Sequence, residues 1–326
     1  MTVSPSAVVP QKRTGDLALL SIVIPIHNES GSLKELVNRV SEAAMSSADD
    51  CEIILVNDGS SDDTPLRAAV LAQDHRNVRV INLSRNFGKE VALTAGLDHA
   101  TGDAVVFMDG DLQHPPEVIP AFAEKWRDGY DMVYGVRRSR DTESQTLQYL
   151  KRRFYGIFNA VASIDLPYGA GDFRLLDRKV VIALRQFRER VRFMKGLYSS
   201  VGFASCGIPY DVHERQSGRS SWNVWRLWNF AITGFTSHTS MPLRIWTYLG
   251  LVVALLAAGY GVFVIWRTIV FGVDVPGYAT IVVLVLFFGS LNLISTGIFG
   301  EYIARIFEET KGRPMYIIDS KINFEK

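Results

Sequence analysis

The sequence predicts an α/β fold with a mainly parallel sheet, followed by a C-terminal two-helix transmembrane hairpin. Three observations predict it. Short apolar runs rich in β-branched residues alternate with amphipathic helical segments over the first 135 residues, the pattern of strands covered on both faces by crossover helices. Two of these runs end on acidic clusters, Asn57-Asp58-Gly59 and Asp109-Gly110-Asp111, where open α/β sheets bind ligands. Near the C-terminus, 22 residues between Arg244 and Arg267 and 26 between Asp274 and Glu301 carry no charge. About 20 apolar residues suffice for a helix to cross a bilayer.

The elements follow in order. Residues Leu19–Ile26, LLSIVIPI, read as a buried strand. A helix over 32–44 places Leu33, Leu36, Val37 and Val40 on one stripe. Strands follow at 52–56, 78–83, 104–108 and 132–135, and helices at 65–72, 89–99 and 118–126. Residues 1–16 read as a flexible tail, and no apolar run follows a charged start, so a signal peptide is not expected. The α/β domain is expected over 17–221 and the hairpin over 243–305, with spans at about 245–267 and 277–301. The last 21 residues, 306–326, form a tail.

Two further segments are amphipathic. One, 146–161, carries Leu147, Leu150, Phe154, Ile157, Phe158 and Val161 at helical spacing, interrupted by Lys151, Arg152 and Arg153; core packing and membrane contact are equally open there. The other, 222–242, carries Trp222, Trp225, Trp228, Ile232 and Phe235 and reads as an interfacial segment, with a core-facing helix as the alternative. Small residues in both spans, among them Ala257, Gly261, Gly289 and Gly297, permit close helix approach and leave room for a homo-oligomer through the hairpin. The alternative for the spans is a pair of buried core helices. Arg244, Arg305, Lys311 and Arg313 flank the hairpin's open end, whereas the link carries Asp274, with Arg267 at the end of the first span. Positive flanks favour the cytoplasm, which places the large domain and both termini there.

The charge balance, 35 basic against 34 acidic residues, gives no support for a nucleic-acid partner. Cys51 and Cys206 lack metal-ligand spacing and read as ordinary buried thiols.

The strongest local signal is Asp109-Gly110-Asp111-Leu112-Gln113-His114-Pro115-Pro116, directly after a strand. Two carboxylates two residues apart can share one divalent cation, with a diphosphate and water completing its oxygen shell. A surface turn is the alternative. Asp58 is placed to accept hydrogen bonds from a base or ribose, while Asp62 or Asp63 caps the next helix. Glu29, in Pro25-Ile26-His27-Asn28-Glu29, receives a hydrogen bond from a nucleotide or belongs to a capping turn. Arg137, Arg138, Arg140, Arg152 and Arg153 form the nearest basic cluster after the acidic motif, for an anionic acceptor or as a solvated face.

PIHNE, VNDGSSDDT, LSRNFGKEVALTAGLDHATGD, MDGDLQHPPE, GAGDFRLLDR and HERQSGRSSW occur in this order. The series resembles the family-2 glycosyltransferases of the GT-A fold, in particular the polyprenyl-phosphate glycosyltransferases, over roughly residues 19–318. The resemblance implies a GT-A nucleotide-sugar-binding domain with Pro25, His27 and Glu29 along the nucleotide and Asp58 near the base. It implies that Asp109, Asp111 and Gln113 hold Mg2+ or Mn2+ and the donor diphosphate, and that Asp172, with Asp111, serves catalysis. It also implies a donor-diphosphate contact for Arg215 and phosphate contacts for Arg174, beside Arg137 and Arg140. Where the family often reads R-x-x-G-x-S-K, this chain has Arg215, Gly218 and Ser220 but Ser221 in place of the lysine, and Arg219 is the nearest substitute.

The function so implied is inverting transfer of a hexose from a nucleotide-sugar, UDP-glucose by the resemblance of the short hairpin and tail, to undecaprenyl phosphate at the inner membrane. GDP-mannose and a UDP-aminoarabinose derivative stay open as donors. Two other classes compete. A dinucleotide-dependent oxidoreductase would carry G-x-G-x-x-G after the first strand, where PIHNE stands. A non-catalytic membrane scaffold or lipid carrier would be favoured by loss of Asp109 and Asp111, which are intact. A processive polysaccharide synthase would add Q-x-x-R-W and more spans, and has neither here.

Overall fold

A computed structural model of the chain describes residues 10–138, 170–190, 192, 194–211, 241–272 and 277–324. The segment 146–161, the tryptophan-rich stretch 222–240, and Arg140, Arg215 and Arg219 lie outside them. The described residues fall into two units, each taken by itself: one holds the N-terminal domain and rejoins the chain from Arg313, and the other holds the two long C-terminal helices.

The first unit is built on an eight-stranded sheet. Its strands are β1 (Leu19–Ile26), β2 (Asp50–Asn57), β3 (Val78–Leu83), β4 (Ala104–Phe107), β5 (Met132–Arg137), β6 (Ala170–Asp177), β7 (Ser205–Tyr210) and β8 (Ile318–Ile322), in the spatial order β7-β5-β6-β4-β1-β2-β3-β8. β1 pairs in parallel with β2 and β4, β2 with β3, and β5 with β7; β6 runs antiparallel between β4 and β5, and β8 antiparallel along β3. The expected mainly parallel α/β sheet is therefore present.

Burial explains why these runs are continuous rather than alternating. Along β1, Leu20, Ile22, Ile24 and Ile26 pack on one face with α1 (Leu33–Met45) and α4 (Ile119–Arg127), while Val23 packs on the other. That second face is covered by α3 (Lys89–His99), α5 (Arg178–Gln186) and α6 (Met194–Ser200) through Leu93, Leu97, Val180, Leu184 and Tyr198. Both faces of the central strands are dry, so both alternating sets of side chains must be apolar. α2 (Thr64–Asp74) covers the first face through Ala68 and Leu71. Asp63 stands at its N-cap position without a side-chain cap bond, and Asp62 Oδ1 before it accepts from the Thr64 N–H at 3.0 Å.

Two expectations are corrected here. The tail does not run to residue 16: Arg13 donates to the Tyr130 carbonyl and pairs with Asp131 and Asp177, each at 2.8 Å, with its guanidinium 4.6 Å over the Trp126 ring. A cation held by two carboxylates and an aromatic face is not a free end. The C-terminal segment is likewise not a simple tail, because residues 318–322 form the edge strand β8. Cys51 and Cys206 are free thiols, the first buried and the second half-buried, on strands five places apart in the sheet.

The second unit contains α7 (Met241–Phe271) and α8 (Tyr278–Thr310), of 31 and 33 residues. Among the described residues no helix is long and apolar enough to cross a membrane. The side chains of several positions in α7, Leu251, Ala254, Ala257 and Ala258 among them, lie outside the described residues. Large apolar side chains of both helices are exposed, including Leu255, Leu256, Ile269, Leu293 and Ile303.

Candidate active site

The parallel strands β1, β2 and β4 end at one edge of the sheet, so the residues that follow them gather there. His27 follows β1, Asp58 follows β2, and Asp109 comes two residues after β4. Phe107 of β4 pairs with Arg174 of β6, so the antiparallel β6 brings Asp172 to the same edge. Gly110 fits against β1: a Cβ there would lie 3.1 Å from Ile26 Cγ2 and 3.2 Å from the Pro25 carbonyl oxygen. Two residues on, buried Leu112 has φ 58°, a left-handed conformation that costs an L-residue about 1–2 kcal/mol. Strain of this kind persists only where surrounding structure holds it and collects at functional sites. The Asp111 carboxylate accepts from the Gln113 N–H at 3.1 Å, closing the turn.

The centre of the site is a cation that the motifs alone did not disclose. Lys89 Nζ lies 2.6 Å from Asp109 Oδ1 and 2.9 Å from Asp172 Oδ2. Burial alone would drive this ammonium towards neutrality, but the charges of Asp109 and then Asp172 override it and hold its pKa above the ordinary value. The reverse holds for the acids. Burial raises Asp172, yet Lys89 and then Lys195 bring it well below the usual carboxylate range. Asp109 is likewise lowered against burial by Lys89 and then His114. Both carboxylates are thus ionised at neutral pH.

Around this triad lies a shell of buried polar groups. His114 is buried and stacked on Phe173 at 4.9 Å, and its Nδ1 accepts from the Asp109 N–H at 3.0 Å. Burial lowers its pKa, so the ring is neutral with its proton on Nε2. Glu90 Oε2 accepts from the Met194 N–H at 2.6 Å, and burial, then the Asp172 charge, push its pKa up to about 7. The Arg174 guanidinium lies 3.6 Å over the Tyr198 ring and donates to the Gly171 carbonyl at 2.6 Å. Among the described residues, Asp172 Oδ1, Arg174 Nε and the Tyr198 hydroxyl are buried without a hydrogen-bond partner.

The structure brings together some of the residues expected to bind donor and acceptor, and separates others. Asp109, Asp111, Gln113 and Asp172 share one edge. Asp58 is buried, and both its carboxylate oxygens are already in use: Oδ1 accepts from Phe87 N–H at 2.7 Å and Oδ2 from Gly88 N–H at 2.9 Å. These two bonds make Asp58 the post that holds the loop leading to Lys89, and each oxygen keeps a second lone pair. Gly59 makes that packing close, with φ 62° and a would-be Cβ 2.4 Å from the Arg85 and Asn86 backbone. His27 is exposed, with Nδ1 2.9 Å from the Asp58 carbonyl oxygen. The Glu29 N–H donates to Thr64 Oγ1, and its carbonyl accepts from the Ser32 N–H, so its backbone belongs to a capping turn. Pro25 is half-buried at the end of β1. Arg137 is exposed and donates from Nε to the Tyr210 hydroxyl at 3.1 Å, next to His114. Arg174 is buried, with its guanidinium over the Tyr198 ring and a hydrogen bond to the Gly171 carbonyl, while its Nε has no partner.

Lys89, Glu90, His114, Lys195 and Tyr198 were missed by sequence reasoning. Lys89 carried one signal: a lysine in the first turn of a helix opposes the helix dipole, which favours acids there. A local rule broken beside a strand end is a mark of function.

The comparisons with known proteins come to rest on this geometry. A model of glycosyl transferase family 2 matches residues 21–185, which covers β1 to α5 and so every acidic residue of the triad. An uncharacterized glycosyltransferase of Synechocystis sp. is 48% identical over 299 residues, 92% of this chain and 94% of that protein. The bactoprenol glucosyl transferase of Shigella phage SfX is 43% identical over 302 residues, 93% of this chain and 99% of the phage protein. A solved mannosyltransferase of Pyrobaculum calidifontis superposes with a TM-score of 0.47 at 19% identity, over 94% of this chain and 90% of that one, a likeness too loose to say anything of the site. The chain belongs to glycosyl transferase family 2, and it is a glycosyltransferase.

Proposed function

We propose that the enzyme transfers glucose from UDP-glucose to undecaprenyl phosphate, with inversion, at the cytoplasmic face of the inner membrane. The observation that carries this reading is the match to the bactoprenol glucosyl transferase over nearly the full length of both chains. The site is compatible with it. Ionised Asp109 and Asp172 draw an internal ammonium between them, and Asp172 Oδ1 is buried without a partner. Oxygen donors that already gather a cation fit a hard divalent ion such as Mg2+ or Mn2+. Asp109 and Asp111 would hold it, with Gln113 beside them. When bound, the ion offsets the charge that builds on the departing nucleoside diphosphate.

The remaining steps belong to the chain's own groups. The acceptor phosphate is already anionic and needs no strong general base, so positioning and charge stabilisation dominate. Asp172, kept ionised by Lys89 and Lys195, would offset positive charge growing at the sugar's anomeric carbon as the bond to diphosphate breaks. Exposed Arg137, beside Tyr210 and His114, would meet the acceptor phosphate, with Arg140 close in sequence. Arg215 would reach the donor diphosphate, and His27 and Glu29 the nucleotide.

Residues 243–305 would anchor the enzyme as a hairpin. The two stretches of 22 and 26 residues without charge support this. Residues 222–242 would lie at the interface. Both chain termini would be cytoplasmic.

Nucleotide release tests the chemistry. UDP should be released from UDP-glucose only with undecaprenyl phosphate present, and a chelator should abolish the release. Release that ignores either the lipid or the chelator contradicts the reading.

A further inference from the structure

We propose that Lys89 is a built-in counter-ion of the donor site: its ammonium occupies the place between Asp109 and Asp172 until a divalent cation takes Asp109 from it. This rests on the proposed role of Asp109 as a metal ligand.

Four observations carry it. First, Lys89 Nζ is within 3 Å of both carboxylates, 2.6 Å from Asp109 and 2.9 Å from Asp172, so it neutralises two like charges that the β4–β6 pairing forces together. Second, the lysine stands in the first turn of α3, where a cation works against the helix dipole; its position serves the carboxylates, not the helix. Third, the backbone that delivers it is fixed. Asp58 accepts from both Phe87 and Gly88 N–H groups, and Gly88 takes φ 99°, which a side-chain-bearing residue rarely adopts. Fourth, the Lys89 side chain is still 42% exposed, so its flexible stem has an open direction in which to leave.

Competition follows from size and charge. A Mg2+-sized ion binds a carboxylate oxygen at about 2.0–2.1 Å. Asp109 Oδ1 holds an ammonium at 2.6 Å. Placing both cations on that carboxylate would bring like charges into contact, so one weakens the other, and by linkage the effect is mutual. Loading the site would also loosen Lys89 from Asp172, on which Lys195 has the next largest effect among the cations. The freed ammonium is then available to the donor's phosphate oxygens. Lys89 is in this sense a positioning residue that links metal loading to the state of Asp172.

The test uses the full chain in detergent without donor or lipid. Mn2+ binding is read by electron paramagnetic resonance for the unaltered protein, Lys89→Gln and Lys89→Arg. Lys89→Gln should bind Mn2+ roughly tenfold more tightly, within the range of ordinary coupling between sites. Lys89→Arg, which keeps the charge, should stay near the unaltered value. Equal or weaker binding by Lys89→Gln overturns the proposal, as does an unaltered protein and a glutamine variant that both fail to bind Mn2+. Because the glutamine variant leaves two buried carboxylates facing each other and can lose its fold, a second reading needs no variant. Saturating Mn2+ should raise the acetylation rate of Lys89 several-fold relative to exposed Lys125, and a Lys89 rate that Mn2+ leaves unchanged overturns the proposal. Neither reading involves glucose or a lipid acceptor. A chain that transfers no sugar to undecaprenyl phosphate but shows both effects would keep this inference and lose the proposed function.

Discussion

Asp109 and Asp111 flank Gly110, which sits close against Pro25 and Ile26. The pair is also held in register by the strained Leu112 and by the Gln113–Asp111 turn. Asp109→Asn and Asp111→Asn should each lower turnover by about 10²–10³, the scale of losing one charge-stabilising group at a reacting centre. Thermal stability should change little for Asp111. Turnover within twofold of the unaltered enzyme for both variants would remove the metal role. Glu90 offers a pH test. Its pKa in the folded protein is raised to about 7 from an ordinary value near 4.5, by burial and then by Asp172. The stability it contributes is thus present below the ordinary glutamate range and is lost as pH rises towards 7. Glu90→Gln, which can still accept from the Met194 N–H, should flatten the fall in melting temperature between pH 4.5 and 7 when measured with a chelator present. An unaltered pH profile would contradict the assignment. Carboxylates at strand ends were legible from sequence because apolar runs stopped on them. Lys89, Glu90 and Lys195 were not, since their partners are distant in sequence and only folding makes them neighbours.

At the scale of the elements, α3 must lie very close to the sheet for Lys89 to reach Asp109. Gly96 permits this: a Cβ there would lie 2.2 Å from Val23 Cγ1 and 3.1 Å from Val56 Cγ2. Gly96→Ala should destabilise the protein by about 1–3 kcal/mol through overpacking, measured by chemical denaturation, despite alanine's better helix propensity. An equal or higher stability would show that α3 can shift without cost. The strands β1, β2 and β4 were legible because burial on both faces leaves β-branched apolar runs, while β3 and β5 kept enough of the pattern despite Arg79 and Gly135. β6 was not, since Asp172, Arg174 and Asp177 break its apolar character; Lys89 meets Asp172 and Tyr198 meets Arg174 near one end of the strand, and Arg13 meets Asp177 at the other. β7 carries Gly207 and Pro209 and is half-exposed, and β8 is a short edge strand of polar residues. Neither presents the pattern that burial on both faces produces.

For the whole molecule, the chain leaves the first unit before its long helices and returns to it at β8. Strand β8 is therefore a C-terminal closure of the sheet, with Tyr316 donating to Asp98 at 2.9 Å just before it. In the sequence, arginines and a lysine flank one end of the two uncharged stretches and Asp274 the other, which predicts the orientation of the proposed hairpin. A cysteine placed at Asp274 should react with an impermeant thiol reagent in whole cells, and one at Lys321 should not. Labelling at Lys321 alone would reverse the orientation. The central claim, glucose transfer to a polyprenyl phosphate, is tested most directly by the mass of the lipid. The purified enzyme is given undecaprenyl phosphate, Mn2+ and, in separate reactions, UDP-glucose, GDP-mannose and a UDP-aminoarabinose derivative. With UDP-glucose the lipid should become heavier by a single hexose, and with Asp109→Asn it should not. A lipid left unmodified by UDP-glucose, or modified only by another donor, would contradict that claim.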